Sequence, residues 1–207
     1  MGKLVIAVMV MLGSLGLQAS DWSAVLDGVE RKVLRLEMQG AAAPGPGICS
    51  GVVLNATAGF LLTAAHCVDG KDVQVTVDGR HAAVTKTNRV LDLAVVRFSP
   101  RPSHRAVKLA TDAPKMGTEV AVVGFPFGVE ELHTQFGHVA RQQDEGELYV
   151  NADIIPGNSG GALLNPAGEL VGVNVAVRFA FGGAAHMGVA VALETLRDFA
   201  AEYLPKD

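Results

Sequence analysis

The chain has few of the features that mark nucleic-acid-binding or metal-binding proteins. Only 18% of its residues are charged, the formal net charge is −4, and Lys and Arg form no cluster. Binding to a phosphate backbone requires grouped basic side chains, which argues against nucleic acid as a partner. The two cysteines form no Cys-x-x-Cys motif, and no second His or Cys stands at metal-ligand spacing. We therefore expect neither a metal nor an organic cofactor.

Long hydrophobic runs are also scarce, and the one that is present lies at the N-terminus. Lys3 precedes the apolar run Leu4–Leu17, and Leu17-Gln18-Ala19 offers a small-residue cleavage site. A membrane-spanning helix needs about 20 apolar residues, so the pattern predicts a cleaved export signal over residues 1–19. Residues 20–207 are then expected to be periplasmic or extracellular, without stable membrane insertion.

Cysteine occurs only at Cys49 and Cys67. An exported chain enters an oxidising compartment, where an even pair of cysteines is usually joined. The sequence therefore predicts one disulfide bond between them.

Aromatic residues are few, whereas glycines number 24, a composition that suits a strand-rich and turn-rich domain. Helical spacing of apolar residues occurs near the two ends, over Trp22–Val33 and Leu193–Leu204. Between them, short apolar or alternating runs are separated by turn signals, which indicates a barrel or sandwich. The proline-containing segment Ser99–Met116 is expected to connect two strand-rich halves. The predicted strands are Leu34–Met38, Cys49–Leu54, Gly59–Thr63, Val73–Val77, His81–Thr87, Leu93–Phe98, Glu119–Val123, Leu132–Arg141, Glu147–Ala152, Ala162–Leu164, Leu170–Ala176 and Met187–Ala192.

A serine embedded in glycines, at Gly157–Gly161, follows the apolar run Ile154-Ile155-Pro156. Glycine allows the backbone to approach a bound peptide closely and to adopt turns that other residues avoid. Such a turn can direct the amides of Gly157 and Ser159 to one point, as an oxyanion hole requires.

Two further motifs supply the partners of a serine nucleophile, which needs an oriented base beside it. His66 stands among small residues in Leu62–Val68, and Asp92 directly precedes the apolar run Leu93–Val96. His, Asp, Ser is one of the chain orders in which a catalytic triad is built. We therefore predict that His66, Asp92 and Ser159 are the catalytic residues.

Together, the motifs Thr63–Cys67, Asp92–Val95 and Gly157–Gly161 resemble those of the chymotrypsin-fold serine proteases. Within this fold, the more specific resemblance is to the bacterial HtrA-type branch, over roughly residues 25–195. The segments that carry it are Gly124–Gly128, Asp153–Asn165 and Gly168–Asn174. The resemblance implies an all-β protein of two six-stranded antiparallel barrels, about 33–100 and about 115–192, with a C-terminal helix at about 193–204. The active site would lie in the cleft between the barrels.

The resemblance also implies a role for each motif residue. His66 would act as general base and then as acid, Asp92 would orient its ring, and Ser159 would attack the peptide carbonyl. The oxyanion hole would be built by Gly157, Asn158 and Ser159, with the first and last of these donating their amides. Animal digestive enzymes carry an aspartate at the position of Asn158, where it binds a newly cut N-terminus. We therefore expect no activation by precursor cleavage beyond the signal.

Asp153 and Asn174 are the candidate residues of the specificity pocket. Asp153 lies six residues before Ser159, where trypsin-like enzymes place the acid that attracts Arg or Lys, although it could instead cap the backbone. Asn174 stands where glutamate-specific relatives use a histidine, which disfavours an acidic preference. The default expectation is cleavage of proteins or peptides after small or medium apolar residues.

Two alternatives keep the fold and change the function: a catalytically silent binding scaffold and an esterase. The intact triad and oxyanion glycines favour the protease. HtrA-type proteins commonly carry a PDZ domain after the protease, and we expect none here. His81, His104, His133, His138 and His186 are interpreted as surface or loop residues, and His186 could border the specificity pocket.

Overall fold

The computed structural model describes residues 21–40, 47–70, 72–142, 146–180 and 185–206. The predicted signal peptide, residues 1–19, lies outside these ranges. Within them, no helix combines the length and the apolar content that crossing a membrane requires.

The first half of the chain forms a closed antiparallel barrel of six strands, in the order β1-β2-β3-β6-β5-β4. Its strands are β1 (Val33–Gln39), β2 (Gly47–Asn55), β3 (Phe60–Ala64), β4 (Gln74–Val77), β5 (Arg80–Asn88) and β6 (Leu93–Arg97). Strand β1 closes the barrel because Leu36 pairs with Cys49 on one side and with Val77 on the other.

The second half repeats this architecture in the order β10-β11-β12-β9-β8-β7. Its strands are β7 (Glu119–Gly124), β8 (His133–Gln142), β9 (Glu147–Val150), β10 (Ala162–Leu164), β11 (Leu170–Ala180) and β12 (Ala185–Ala192). Closure comes from the pairing of β7 with β10, where Val123 lies opposite Ala162. The predicted fold of two six-stranded barrels is confirmed.

The two barrels pack against each other through β2 and β7 and through β3 and β11. An ordinary barrel strand buries alternate residues, because successive side chains point to opposite faces. Along β2, however, every residue from Cys49 to Leu54 is buried. This uninterrupted burial is expected of a strand that packs inward on its own barrel and outward on the other barrel.

The N-terminal segment departs from the single helix predicted over Trp22–Val33. Helix α1 (Trp22–Leu26) is capped by the Asp21 carboxylate, which accepts a hydrogen bond from the Ser23 amide. Gly28 then takes the left-handed conformation, φ 75°, and a 3-10 turn follows over Val29–Arg31. The left-handed residue ends the helix because an α-helix cannot continue through it.

The segment between the barrels is fixed by backbone hydrogen bonds rather than by regular structure. The Val107 amide donates to the Val53 carbonyl at 2.8 Å, and the Ala110 amide donates to the Leu170 carbonyl at 3.0 Å. His104, interpreted from the sequence as a surface or loop residue, lies in this loop but is buried. Its Nδ1 accepts from the Arg101 amide, and its Nε2 lies 3.0 Å from the Asp78 carboxylate. These partners compensate the cost of burying a polar ring.

The chain closes with helix α3 (Leu193–Ala200) and a 3-10 turn over Ala201–Tyr203. Leu193, Leu196 and Phe199 are buried against the barrels. On strand β5, Lys86 donates to the Phe199 carbonyl at 2.8 Å. A lysine at the C-terminal end stabilises the helix because it donates a hydrogen bond to a carbonyl that has no partner within the helix. Its charge also interacts favourably with the negative end of the helix dipole. The helix thereby joins the second barrel to the first.

Candidate active site

His66 lies on a single helical turn, α2 (Ala65–Val68), that directly follows β3. Asp92 faces it from the start of β6 with backbone φ of 51°. One carboxylate oxygen of Asp92 lies 2.7 Å from His66 Nδ1, and the other accepts from the His66 amide at 2.9 Å. Since an ionised carboxylate can only accept, Nδ1 donates in this contact, and in the neutral ring Nε2 is then the nitrogen that carries the lone pair.

The loop that carries Ser159 packs against the same helical turn. The Ser159 carbonyl accepts a hydrogen bond from the Ser50 amide at 2.8 Å, and Cys67 Sγ lies 3.8 Å from that carbonyl oxygen. Cys67 directly follows His66 and is bonded to Cys49 of β2. The main chain at Ser159 therefore lies beside the helical turn that carries His66, and Asp92 contacts that histidine.

The disulfide also decides how a nearby group of potential metal ligands is interpreted. One ligand atom each of Cys49, His66 and Cys67 lies within 4.8 Å of the others. Zinc is held by cysteine as thiolate, and the two sulfurs here are bonded to each other. The two cysteines therefore form a disulfide beside His66 and are not available as metal ligands.

Hydrogen bonds hold the Gly157–Gly161 loop and leave two amides free. The Asn158 amide donates to the Ile155 carbonyl at 3.0 Å, and the Gly160 amide donates to the Asn174 carbonyl at 2.7 Å. No acceptor within the described ranges engages the amides of Gly157 and Ser159. These are the two amides that the sequence assigns to an oxyanion hole, whereas the Asn158 amide is already used within its turn.

Ser50 contacts the serine loop and was not predicted from the sequence. It is fully buried, and its hydroxyl donates to the Gly157 carbonyl at 2.7 Å and accepts from the Phe125 amide at 2.9 Å. It thereby fixes the Gly157–Asn158 peptide of the serine loop. The only signal in the sequence is a lone polar residue inside the apolar run Cys49–Leu54.

Close contacts explain the glycines on both sides of the serine. Gly157 has φ 101°, and a Cβ there would lie 2.2 Å from the Phe125 carbonyl oxygen. At Gly160, with φ 80°, a Cβ would lie 2.1 Å from Thr63 Oγ1. Any side chain at either position would force the serine loop away from β3 and from the residue that follows β7.

The two candidate specificity residues occupy different environments. Asn174 is fully buried on β11, where its Nδ2 donates to the Ala162 carbonyl at 3.0 Å. Asp153 is half-exposed, and its carboxylate is hydrogen-bonded to His186 Nε2 on β12. The structure thus places Asn174 in the interior behind the serine loop and Asp153 at its surface.

A cavity of about 230 Å³ adjoins the serine loop on the Asp153 side. Its lining residues are Asp153, Ile154, Ile155, Pro156, Val177, Phe179 and His186. The pair of Asp153 and His186 contributes the polar groups, and the rest of the lining is apolar.

Two closed six-stranded antiparallel barrels, with a histidine, an aspartate and a glycine-flanked serine between them, define a protein of the chymotrypsin fold. Residues 49–173, more than half of the chain, match the family model described as "Trypsin-like peptidase domain". The chain therefore belongs to the trypsin-like peptidase family.

Several curated proteins that are similar to this chain are named as periplasmic serine proteases. A probable periplasmic serine protease do/HhoA-like of Haemophilus influenzae is 35% identical over 159 residues, which is 70% of this chain and 34% of that protein. The periplasmic serine endoprotease DegP of Escherichia coli K12 is 31% identical over 166 residues, 74% of this chain and 35% of that protein. The chain thus spans about a third of the length of these relatives.

Solved structures agree with the fold. A serine endoprotease from Yersinia pestis superposes with a TM-score of 0.70 at 24% identity, covering 86% of this chain and 65% of that chain. An HtrA-type protease determined with a tripeptide also has a TM-score of 0.70, at 26% identity, covering 87% of this chain and 63% of that chain.

Proposed function

We propose that this protein is a serine endopeptidase that hydrolyses protein or peptide substrates through an acyl-enzyme intermediate. The observation that carries the proposal is the bidentate contact of Asp92 with the backbone and ring of His66. A carboxylate in this position fixes both the tautomer and the orientation of the imidazole, which a base acting on a serine hydroxyl requires.

Each step follows from the groups at the site. His66 Nε2 takes the proton of Ser159 Oγ as the oxygen bonds to the scissile carbonyl carbon. The tetrahedral oxyanion accepts hydrogen bonds from the amides of Gly157 and Ser159, an electrostatic term worth several kcal/mol in such enzymes. His66 then protonates the leaving amine, and water hydrolyses the acyl-enzyme by the same proton transfers.

The setting of this activity is part of the proposal. Several similar proteins are named as periplasmic, and the sequence predicts an export signal over residues 1–19. We therefore place the enzyme in the periplasm or outside the cell, without a metal or organic cofactor.

A fluorophosphonate probe tests the proposal, because it labels only a serine that is activated as a nucleophile. Wild-type protein should be labelled and should cleave casein, whereas Ser159→Ala should do neither. Ser103 is an exposed serine in the segment that connects the two barrels. Ser103→Ala is therefore the matched control and should behave like wild type. Asp92→Asn should lower turnover by about 10⁴-fold.

Other outcomes distinguish the alternatives. Folded wild-type protein that is not labelled would identify a binding scaffold on this fold. Labelling with ester turnover and no casein cleavage would identify an esterase.

A further inference from the structure

The cavity beside the serine loop is positioned to receive one substrate side chain. Its wall Ile154–Pro156 runs directly into Gly157, whose amide is one of the two free donors. Its other wall, Val177, lies three residues along β11 from Asn174, whose carbonyl accepts from the Gly160 amide. Three strand residues span about 10 Å. A peptide whose carbonyl is held at the free amides would therefore place its adjoining side chain near this cavity.

The size and lining of the cavity limit what that side chain can be. At about 230 Å³ it is smaller than the roughly 300–1,000 Å³ of pockets that bind whole small molecules. Ile154, Ile155 and Val177 give it an apolar surface. A carboxylate in such surroundings attracts a cation more strongly than it would in water. With Asp153 alone, the cavity would favour arginine or lysine.

His186 changes this balance. Its Nε2 is hydrogen-bonded to the Asp153 carboxylate, and both side chains are about half-exposed. Its cross-strand partner is Phe179, whose ring centroid lies 6.3 Å from the imidazole. The imidazole therefore contacts the carboxylate and lies beside the Phe179 ring. As imidazolium it cancels the negative charge, and as neutral imidazole its N–H occupies a carboxylate oxygen.

We infer that His186 is a specificity-determining residue that masks Asp153, so that the cavity takes an uncharged apolar side chain and rejects arginine and lysine. The inference rests on the proposed endopeptidase function and names the substrate class of the same site.

The test compares two peptides that differ only in leucine or arginine at the residue whose carbonyl is attacked. Wild type should have the higher kcat/KM for leucine. His186→Ala should raise the arginine-to-leucine ratio of kcat/KM by roughly 5-fold to several-hundred-fold, the range that Coulomb attraction over about 4 Å gives between water and a partly screened surface. His81→Ala, an exposed histidine of the first barrel, is the matched control and should leave the ratio unchanged.

The double variant His186→Ala, Asp153→Asn distinguishes the effect of the unmasked Asp153 charge from the effect of the space that the imidazole leaves. If unmasked charge causes the gain, removing the carboxylate returns the ratio to the wild-type value. An unchanged ratio in His186→Ala, a gain that persists in the double variant, or a wild type that prefers arginine would overturn the inference. Fluorophosphonate labelling of every variant keeps this result separate from the proposed function, because a wild type that is neither labelled nor active overturns both.

Discussion

At the scale of single residues, the candidate site depends on groups whose partners are distant in sequence. Asp92 holds His66 across 26 positions, and Ser50 holds the Gly157 carbonyl across 107 positions. The sequence motifs identify Asp92 because its position before an apolar strand is distinctive. They do not identify Ser50, because nothing local distinguishes a buried serine that orients a loop from one that merely fills space.

Removal of the Ser50 hydroxyl tests its positioning role. Ser50→Ala leaves the Gly157 carbonyl and the Phe125 amide without their partner, and each unpaired buried group costs about 1–3 kcal/mol. We expect lower stability in urea unfolding, together with a fall in kcat that is larger than any change in KM, because the Gly157–Asn158 peptide, which connects the residues of the two proposed oxyanion amides, loses its fixed orientation.

The matched control for this variant is Thr76→Val. The Thr76 hydroxyl is buried and has no hydrogen-bond partner within the described ranges, so its removal should not lower stability and should leave kcat unchanged. Equal behaviour of the two variants would contradict a positioning role for Ser50.

At the scale of elements, the twelve predicted strands all occur, with ends that differ by a few residues. An alternating apolar run predicts a strand with one buried face, and a continuous run predicts a strand that is buried on both faces. Both kinds of strand occur in a barrel, so these runs locate the strands. Helix α2 was not predicted, because four residues are too few to show helical periodicity. It exists because Asp92 binds the backbone amide of His66 and because Cys67 is tied to β2.

The disulfide makes a measurable contribution at this scale. Replacing both Cys49 and Cys67 by alanine should lower the free energy of unfolding by about 3 kcal/mol, since the bridge closes a loop of 18 residues in the unfolded chain. Urea unfolding measures the loss, and reduced wild-type protein is the control that should match the variant.

Peptidase activity should survive this change under conditions where the variant remains folded. Asp92 still holds both the backbone and the ring of His66. Unfolding midpoints that do not differ between variant and wild type would show that the bridge adds nothing to stability.

At the scale of the whole molecule, the segment between the barrels is tied to the second barrel beside the turn between β10 and β11. Lys108 of that segment contacts Glu169 at 2.6 Å, and Asn165 donates to the same carboxylate at 3.2 Å. The hydrogen bonds from Lys108 and Asn165 lower the pKa of Glu169 below its ordinary value. The carboxylate is thus stabilised in the folded state.

The sign of the pH effect follows from this lowered pKa. Because the folded protein holds the Glu169 proton less tightly than the unfolded chain does, its contribution is fully present above the ordinary glutamate pKa of about 4.3 and is lost as pH falls through the folded pKa. Glu169→Gln should therefore be less stable than wild type at pH 7, by at most about 1 kcal/mol, because Lys108 is largely exposed to solvent.

Chemical denaturation from pH 7 to pH 2 tests this prediction. The stability difference between wild type and Glu169→Gln should shrink as the pH falls below about 4. Glu130→Gln is the control, because Glu130 is exposed and has no side-chain partner within the described ranges. A difference that stays constant down to pH 2 would exclude the ionised carboxylate as its source.

The sequence by itself determined a strand-rich barrel or sandwich, because short apolar runs and turn signals are local, and the two-barrel arrangement was implied by the resemblance of its motifs to those of the chymotrypsin-fold proteases. It also pointed to His66, Asp92 and Ser159, because each lies in a short motif whose chemistry depends on immediate neighbours. The tertiary structure alone decided that Ser50 binds the Gly157 carbonyl, that His104 is buried against Asp78, and that His186 contacts Asp153. Each of these is a contact between residues brought together by the closure of a barrel or by the packing of one barrel on the other, and local periodicity carries no record of such contacts.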